Sequence, residues 1–332
     1  MMRVLTPMTA AHPFVESHVI EDIDAMASAV GMGVQAEFVQ LETKRFTGRW
    51  TTMQLPHMVL QRGREDIAIV RRLRAAADTW SFIVPLAVPD AARWDACPVS
   101  RDELIVCAPG AECYAFDPGG TQFAIVSVGD EHPAAAAAGG FLEAGERSCT
   151  VRQRGRDAEA LLQGLAELLP CDDSADHMRR RLERRSGAER IDLVTSLRRA
   201  VRWQRQREAS LGRRQIVGRA EAFFRRHLGE PVSITRLSAV AGVSERSLRN
   251  AFYDVYSTGP KRYLRLWQLH QVRRALRSPK CAEHTVTDVA TFHGFFELGR
   301  FAGEYKALFG ESPSETLLRA RLEHAVPACA PA

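Results

Sequence analysis

The sequence predicts an α+β chain, in which a strand-rich N-terminal half precedes a helical linker and an all-α C-terminal domain. Two observations carry that prediction. Between residues 34 and 129 short apolar runs alternate with Pro, Gly and Asp clusters, and between Ser233 and Leu322 one helical unit is written twice. A chain of 332 residues with 45% apolar content and no charge-free run of 18 residues predicts two soluble domains and no membrane span.

The first twenty residues contain His12, Glu16 and His18 and lack a basic start followed by an apolar core, so no signal peptide is expected. Seven cysteines occur at irregular spacing without a Cys-x-x-Cys pair, which predicts free thiols in a reducing cytoplasm. In the strand-rich half, Thr52 to Leu60, Ile67 to Val70, Trp80 to Val88, Leu104 to Cys107 and Gln122 to Val128 read as short strands. Met53, Leu55, His57 and Val59 alternate as in a half-buried strand. Strands at this spacing predict a β-sandwich or small barrel, whose mouth suits a small ligand. Trp50, His57, Trp80, Trp94 and Tyr114 are candidates to line it, although each also fits plain core. No His-x-His pair occurs in the chain, and His57 reads as a packed or hydrogen-bonded imidazole. The Gly31-Met32-Gly33 run does not continue as a phosphate-binding fingerprint. No metal or other cofactor is expected, and no nucleophile and base are grouped for catalysis.

Between the halves, Leu161, Leu165 and Leu168, with Leu162 and Leu169 beside them, form an apolar stripe that suits either a core or a dimerisation helix. Asp172 to Arg190 is polar and Arg-rich and reads as the flexible part of the linker.

The repeat places Ile234, Leu237, Gly242 and Val243 in the first copy and Val286, Val289, Gly294 and Phe295 in the second. Leu248/Phe301, Phe252/Tyr305 and Pro260/Pro313 continue it with one residue inserted in the second turn. Apolar positions three or four apart, a Gly, then the same spacing again describe two short helices joined by a tight turn. Ser233 and Thr285 stand where N-caps belong, and Asp288 follows Thr285 by three positions. Gly242 and Gly294 suit the positive-φ corner that ends a helix. Ser244 can cap the next helix, with Val243 and Leu248 as a hydrophobic staple. Ser312-Pro313 opens a last helix with Pro in its first turn. Pro260 to about Arg277 reads as a connecting rod.

From Arg213 to Leu322 the chain resembles the DNA-binding domain of the AraC/XylS family of bacterial transcription regulators. The stretch VTDVATFHGFFELGRFAGEYKALFGESPSETL carries that family's Gly-Phe turn, the following aromatic and the Phe-Gly-x-Ser-Pro tail at Phe309 to Pro313. Phe295 to Glu315 is most similar to the ethanolamine-operon regulator branch, which identifies no effector. The resemblance implies two helix-turn-helix units for double-stranded DNA, and a sensor domain of cupin-like jelly-roll type in the strand-rich half. It further implies domains at 1–156 for sensing or dimerisation, 157–212 for the helical linker and 213–322 for DNA, with a disordered tail at 323–332.

Charge agrees with a nucleic-acid partner. Residues 213–322 hold 19 Lys+Arg against 10 Asp+Glu, whereas residues 1–212 hold 26 against 29. The positive charge coincides with the repeat, as phosphate binding requires. On the second helix of the first unit, Arg246, Arg249 and Asn250 point outward by spacing and have the donors and acceptors to read guanine and adenine edges; the family motif assigns base contact to the same positions. The second unit offers Leu298, Gly299, Ala302 and Gly303, with no side-chain hydrogen bond for a base. Ser244, Lys261, Leu298, Arg300 and Lys306 are therefore expected to contact the DNA backbone or read its shape. The expected protein is a cytoplasmic, homodimeric regulator, not an enzyme, with RNA polymerase as a partner and a small-molecule effector. A β-domain that only dimerises, or a cupin-type enzyme fused to a DNA-binding module, are the alternatives.

Overall fold

The computed structural model describes residues 14–30, 34–55, 58–101, 103–132, 135, 148–152, 210–279 and 284–325. By its contacts the chain divides into two units, one of residues 1–38 and 46–210, the other of residues 39–45 and 211–332. His57 and the leucines Leu161, Leu165 and Leu168 lie outside the described residues, as does the proposed flexible linker.

The first unit is built from strands β1 (Phe14–Ile20), β2 (Val34–Gln40), β3 (Gly48–Leu55), β4 (Met58–Glu65), β5 (Ile69–Ala75), β6 (Thr79–Ala87), β7 (Arg93–Trp94), β8 (Cys97–Pro98), β9 (Glu103–Cys107), β10 (Glu112–Asp117), β11 (Gln122–Gly129) and β12 (Ser148–Arg152), with one helix α1 (Ile23–Val30). Seven strands form one sheet in the order β1-β3-β4-β11-β6-β9-β12, and five form another in the order β2-β5-β10-β7-β8. Neither sheet closes on itself, so the expectation of a barrel is corrected to two open antiparallel sheets. The core gathers side chains from both sheets, among them Trp50, Ile69, Ile83, Ala115 and Ile125, and Ile23, Met26 and Val30 of α1 pack onto it.

Thr52 to Leu60, expected as one strand, is a hairpin instead. β3 and β4 pair antiparallel, with Leu55 opposite Met58 and Met53 opposite Leu60. Pro56 has no N–H for a sheet ladder, which favours a break there. The half-buried alternation does not hold either, because Thr51, Thr52, Met53, Gln54 and Leu55 are all buried. Both faces of β3 are covered, and a doubly covered strand has no polar face to reveal its period.

At the end of β4 the carboxylate of Glu65 meets the guanidinium of Arg71 from β5 at 3.1 Å, and Asp117 from β10 meets the same guanidinium at 2.5 Å. The Arg71 guanidinium also lies 4.4 Å from the centre of the Phe123 ring. Burial pushes Glu65 up to about 8 against the opposing pull of Arg71, and burial raises Asp117 as well.

The second unit contains α2 (Ser210–Arg226), α3 (Ile234–Ala241), α4 (Glu245–Tyr256), α5 (Pro260–Arg277), α6 (Val286–Phe292), α7 (Leu298–Phe309) and α8 (Pro313–Ala325). The caps expected from sequence are present. The hydroxyl of Ser233 accepts from Arg236 N–H, and Thr285 and Asp288 form a reciprocal capping box. Ser312 accepts from Glu315 N–H while the Glu315 carboxylate accepts from Ser312 N–H. Gly242 and Gly294 have φ of 72° and 86°. The paired apolar positions Leu237/Val289, Leu248/Phe301 and Phe252/Tyr305 are interior, with Leu248, Phe252, Phe301 and Tyr305 at most 1% exposed, whereas Ile234, Val243 and Val286 are half-buried.

Candidate nucleic-acid interface

The first recognition helix, α4, is fixed at both ends before any ligand arrives. Ser244 stands outside the helix with extended backbone and accepts the Ser247 N–H at 3.1 Å, which satisfies one of the orphan donors of the first turn. Leu248, Phe252 and Val255 recur at helical spacing and are fully buried. That burial turns Arg246, Arg249 and Asn250 outward, and all three are exposed. The structure thus brings the three expected base readers onto one solvent-facing surface.

One of the three is held in place. Arg249 Nη2 donates to Glu245 Oε2 at 2.8 Å, one turn earlier on α4. The other oxygen, Glu245 Oε1, accepts from the Thr235 hydroxyl of α3 at 2.6 Å. The Thr235 hydrogen bond first, and Arg249 after it, hold Glu245 below the usual carboxylate range. An i,i+4 Glu–Arg pair was legible in the sequence, whereas the reach of Thr235 from another helix was not.

The second recognition helix, α7, starts differently. Glu297 occupies its N-cap position and makes no side-chain cap hydrogen bond. Leu298, Gly299, Ala302 and Gly303 are exposed, and a Cβ added at either glycine would meet only open space. A face of small and apolar residues offers no hydrogen-bonded code for a base. Arg300 donates to Glu304 at 2.9 Å, and Glu304 also accepts from Arg265 of α5 at 2.7 Å. Burial pushes the Glu304 carboxyl up, but the hydrogen bonds and charges of Arg265 and Arg300 outweigh it and keep the group below its ordinary range. Arg265 in turn lies 4.1 Å over the Phe295 ring.

Within the helical unit, between the two helix-turn-helix repeats, runs a groove of about 770 Å³ with α5 along it, bordered by Ser233, Lys261, Arg265, Glu297, Arg300 and Glu304. Of the residues expected to touch backbone or shape, Lys261 and Arg300 border this groove. Leu298 and Lys306 stand exposed on α7. The Ser244 side chain is engaged as the cap.

The aromatic candidates of the strand-rich unit disperse. A cavity of about 20 Å³ between the sheets is lined by Trp94, Arg71, Asp117, Ile105 and Phe123 among others. Trp50 is buried edge-on to Phe123 with ring centres 5.6 Å apart, Tyr114 is buried beneath Arg72, and Trp80 is half-buried on β6. Arg71 and Asp117, which sequence reading missed, reach the cavity because β5 and β10 pair.

A family model described as "Helix-turn-helix domain" matches residues 237–319. The chain is 38% identical over 105 residues to the XylDLEGF operon transcriptional activator of Pseudomonas putida, a match covering 32% of this chain and 33% of that protein. It is 38% identical over 102 residues to the probable thc operon regulatory protein of Rhodococcus erythropolis, covering 31% of each. A crystal structure of a probable AraC family transcriptional regulator from Rhodopseudomonas palustris CGA009 is 34% identical across 97% of that chain and 32% of this one, with a TM-score of 0.28. The C-terminal domain is a helix-turn-helix domain similar to those of AraC/XylS-type regulators. The sequence identity carries that statement, and it agrees with the capped double helix-turn-helix described above. The AraC/XylS family is one of DNA-binding transcription regulators rather than enzymes. The chain spans about a third of the length of the curated relatives it matches. Among the described residues no helix is long and apolar enough to cross a membrane.

Proposed function

We propose that this protein is a cytoplasmic, sequence-specific operon regulator of the AraC/XylS type that reads base edges with Arg246, Arg249 and Asn250. The carrying observation is the α4 surface, where a capped helix presents two guanidiniums and one carboxamide to solvent. Arg pairs with guanine and Asn with adenine through two hydrogen bonds each. The second unit, with its glycine-lined α7 and the basic residues of the groove, anchors backbone and reads shape. RNA polymerase, a second copy of the chain and a small-molecule effector complete the proposed set of partners. The relatives named as operon regulators support control of an operon, and the wording of residues 295–315 favours the ethanolamine-operon branch. Selection of preferred duplexes from a random pool by the full-length protein tests this reading, and retention of no sequence preference would overturn it.

The effector site proposed for the cupin-like unit is the space between its sheets. The buried Trp94 indole N–H has no hydrogen-bond partner among the described residues, and an acceptor on a ligand entering the cavity would satisfy it. One observation favours the dimerisation-only reading instead, because about 20 Å³ holds little more than one water. A metabolite screen by thermal shift separates them. An effector at 100 times its dissociation constant should stabilise the protein by about 2.7 kcal/mol, and by linkage it should change DNA affinity by the factor by which DNA changes its own. If nothing stabilises the protein while it still dimerises, the dimerisation-only reading replaces the sensor.

A further inference from the structure

We propose that Glu245 is a specificity-determining residue, holding the Arg249 guanidinium ready for a base and withholding its charge from phosphate. The proposal rests on the reading of Arg249 as a base reader. Both oxygens of the Glu245 carboxylate are engaged, one by Thr235 of α3 at 2.6 Å and the other by Arg249 at 2.8 Å. The carboxylate is therefore fixed from a second helix rather than carried loosely by its own. An arginine restrained in this way has less rotamer freedom to lose when it meets DNA, and its planar fork keeps donors to spare for guanine O6 and N7.

The charge matters as much as the geometry. A free Arg beside DNA neutralises any phosphate and so strengthens binding to every sequence. One already paired with a carboxylate contributes less to that uniform attraction, and the carboxylate is itself repelled by phosphate. Pairing thus lowers non-specific binding while preserving the hydrogen-bonding edge, which raises the ratio that discriminates one site from the rest. Thr235 and Glu245 are positioning residues and act through Arg249.

The test uses the full-length protein, a duplex selected by it from a random pool, every single base-pair variant of that duplex, and a random-sequence duplex. Arg249→Ala should erase preference at one base pair. Glu245→Ala should lower preference at that same base pair about five- to tenfold, leave the others unchanged, strengthen binding to the random duplex and steepen its salt dependence. The double variant should lose no more preference there than Arg249→Ala alone. Glu245→Gln, which keeps the shape and an acceptor, should retain part of the preference, and Thr235→Val should fall between it and Glu245→Ala. If Glu245→Ala and Glu245→Gln tighten binding to all duplexes equally with every preference intact, Glu245 merely repels DNA and the proposal is overturned. If Arg249→Ala erases a preference that neither Glu245 variant touches, the positioning role fails while the readout stands. If Arg249→Ala changes no preference, the readout assignment fails and takes this proposal with it.

Discussion

Tyr256, the last residue of α4, donates its hydroxyl proton to Glu221 of α2 at 2.7 Å, with both side chains sealed from water. The same ring stacks on Tyr263 of α5 with centres 4.3 Å apart. The helix that carries the proposed readout residues is thus tied at its C-terminal end to α2 and to α5. Tyr256→Phe keeps the stack and removes the only donor on that ring. It should cost about 1–3 kcal/mol of stability, the range for stranding a buried polar group, measured by urea denaturation of the full chain with no change in base preference.

The two glycine corners should respond unequally to alanine. Gly242→Ala meets nothing within 4 Å, so its cost is the positive φ alone, about 1–2 kcal/mol. At Gly294 a new Cβ would sit 3.3 Å from Gln268 Nε2 and 3.5 Å from Gly229 Cα. Gly294→Ala should therefore lower the melting temperature further than Gly242→Ala. Equal shifts would mean that Gln268 and its neighbours yield without cost.

Readout and anchoring should separate by unit. Arg249→Ala should cost about 1–3 kcal/mol on the preferred site and relax one position. Lys306→Ala, on the exposed face of α7, should weaken preferred and random duplexes alike and reduce the salt slope by about one ion. Titrations across a salt series distinguish the two outcomes.

With α5 spanning the groove between the two helix-turn-helix repeats, each copy of the chain is expected to protect two major-groove segments about 10 bp apart on one face of the duplex. Hydroxyl-radical footprinting reads this directly. A single protected segment per protomer would count against simultaneous engagement of α4 and α7.

The ion group of the strand-rich unit should make stability depend on pH. The folded Glu65 is pushed up to about 8 from an ordinary 4.5, so between those values the folded state binds the proton more tightly than the unfolded state does. Stability from this group is fully present below 4.5 and is lost as pH rises through about 8. Asp117, also raised, acts with the same sign. Glu65→Gln should flatten the melting temperature between pH 5 and 8, approximately the window set by that shift. An unchanged slope in the variant would assign the dependence to other groups.

The helical unit was legible because its signals are local. Ser233, Thr285 with Asp288, and Ser312 before Pro313 declare helix starts within four residues of chain, and the structure forms all of those caps. The outward direction of Arg246, Arg249 and Asn250 followed from the spacing of Leu248, Phe252 and Val255, since a helix converts sequence interval into angle.

The strand-rich unit was legible only as a collection of strands. Each apolar run says that a segment is covered, but not by what, and Thr52 to Leu60 concealed a hairpin because both faces of β3 are buried. Sheet order depends on pairing between residues far apart in sequence, so nothing near Arg71 announces Glu65 and Asp117 as its partners, nor Trp94 as its neighbour in the cavity.

The sequence by itself determined the resemblance to AraC/XylS-type regulators, the two helix-turn-helix units, their caps and the face that carries the proposed readout residues, since helical hydrogen bonds, capping and side-chain direction are settled within a turn or two of chain. Only the tertiary structure decided that Thr235 reaches Glu245, that Glu304 joins Arg265 to Arg300, and that two open sheets enclose the Arg71 ion group. Those contacts cross from one element to another, and their distances depend on how whole elements pack rather than on any interval along the chain.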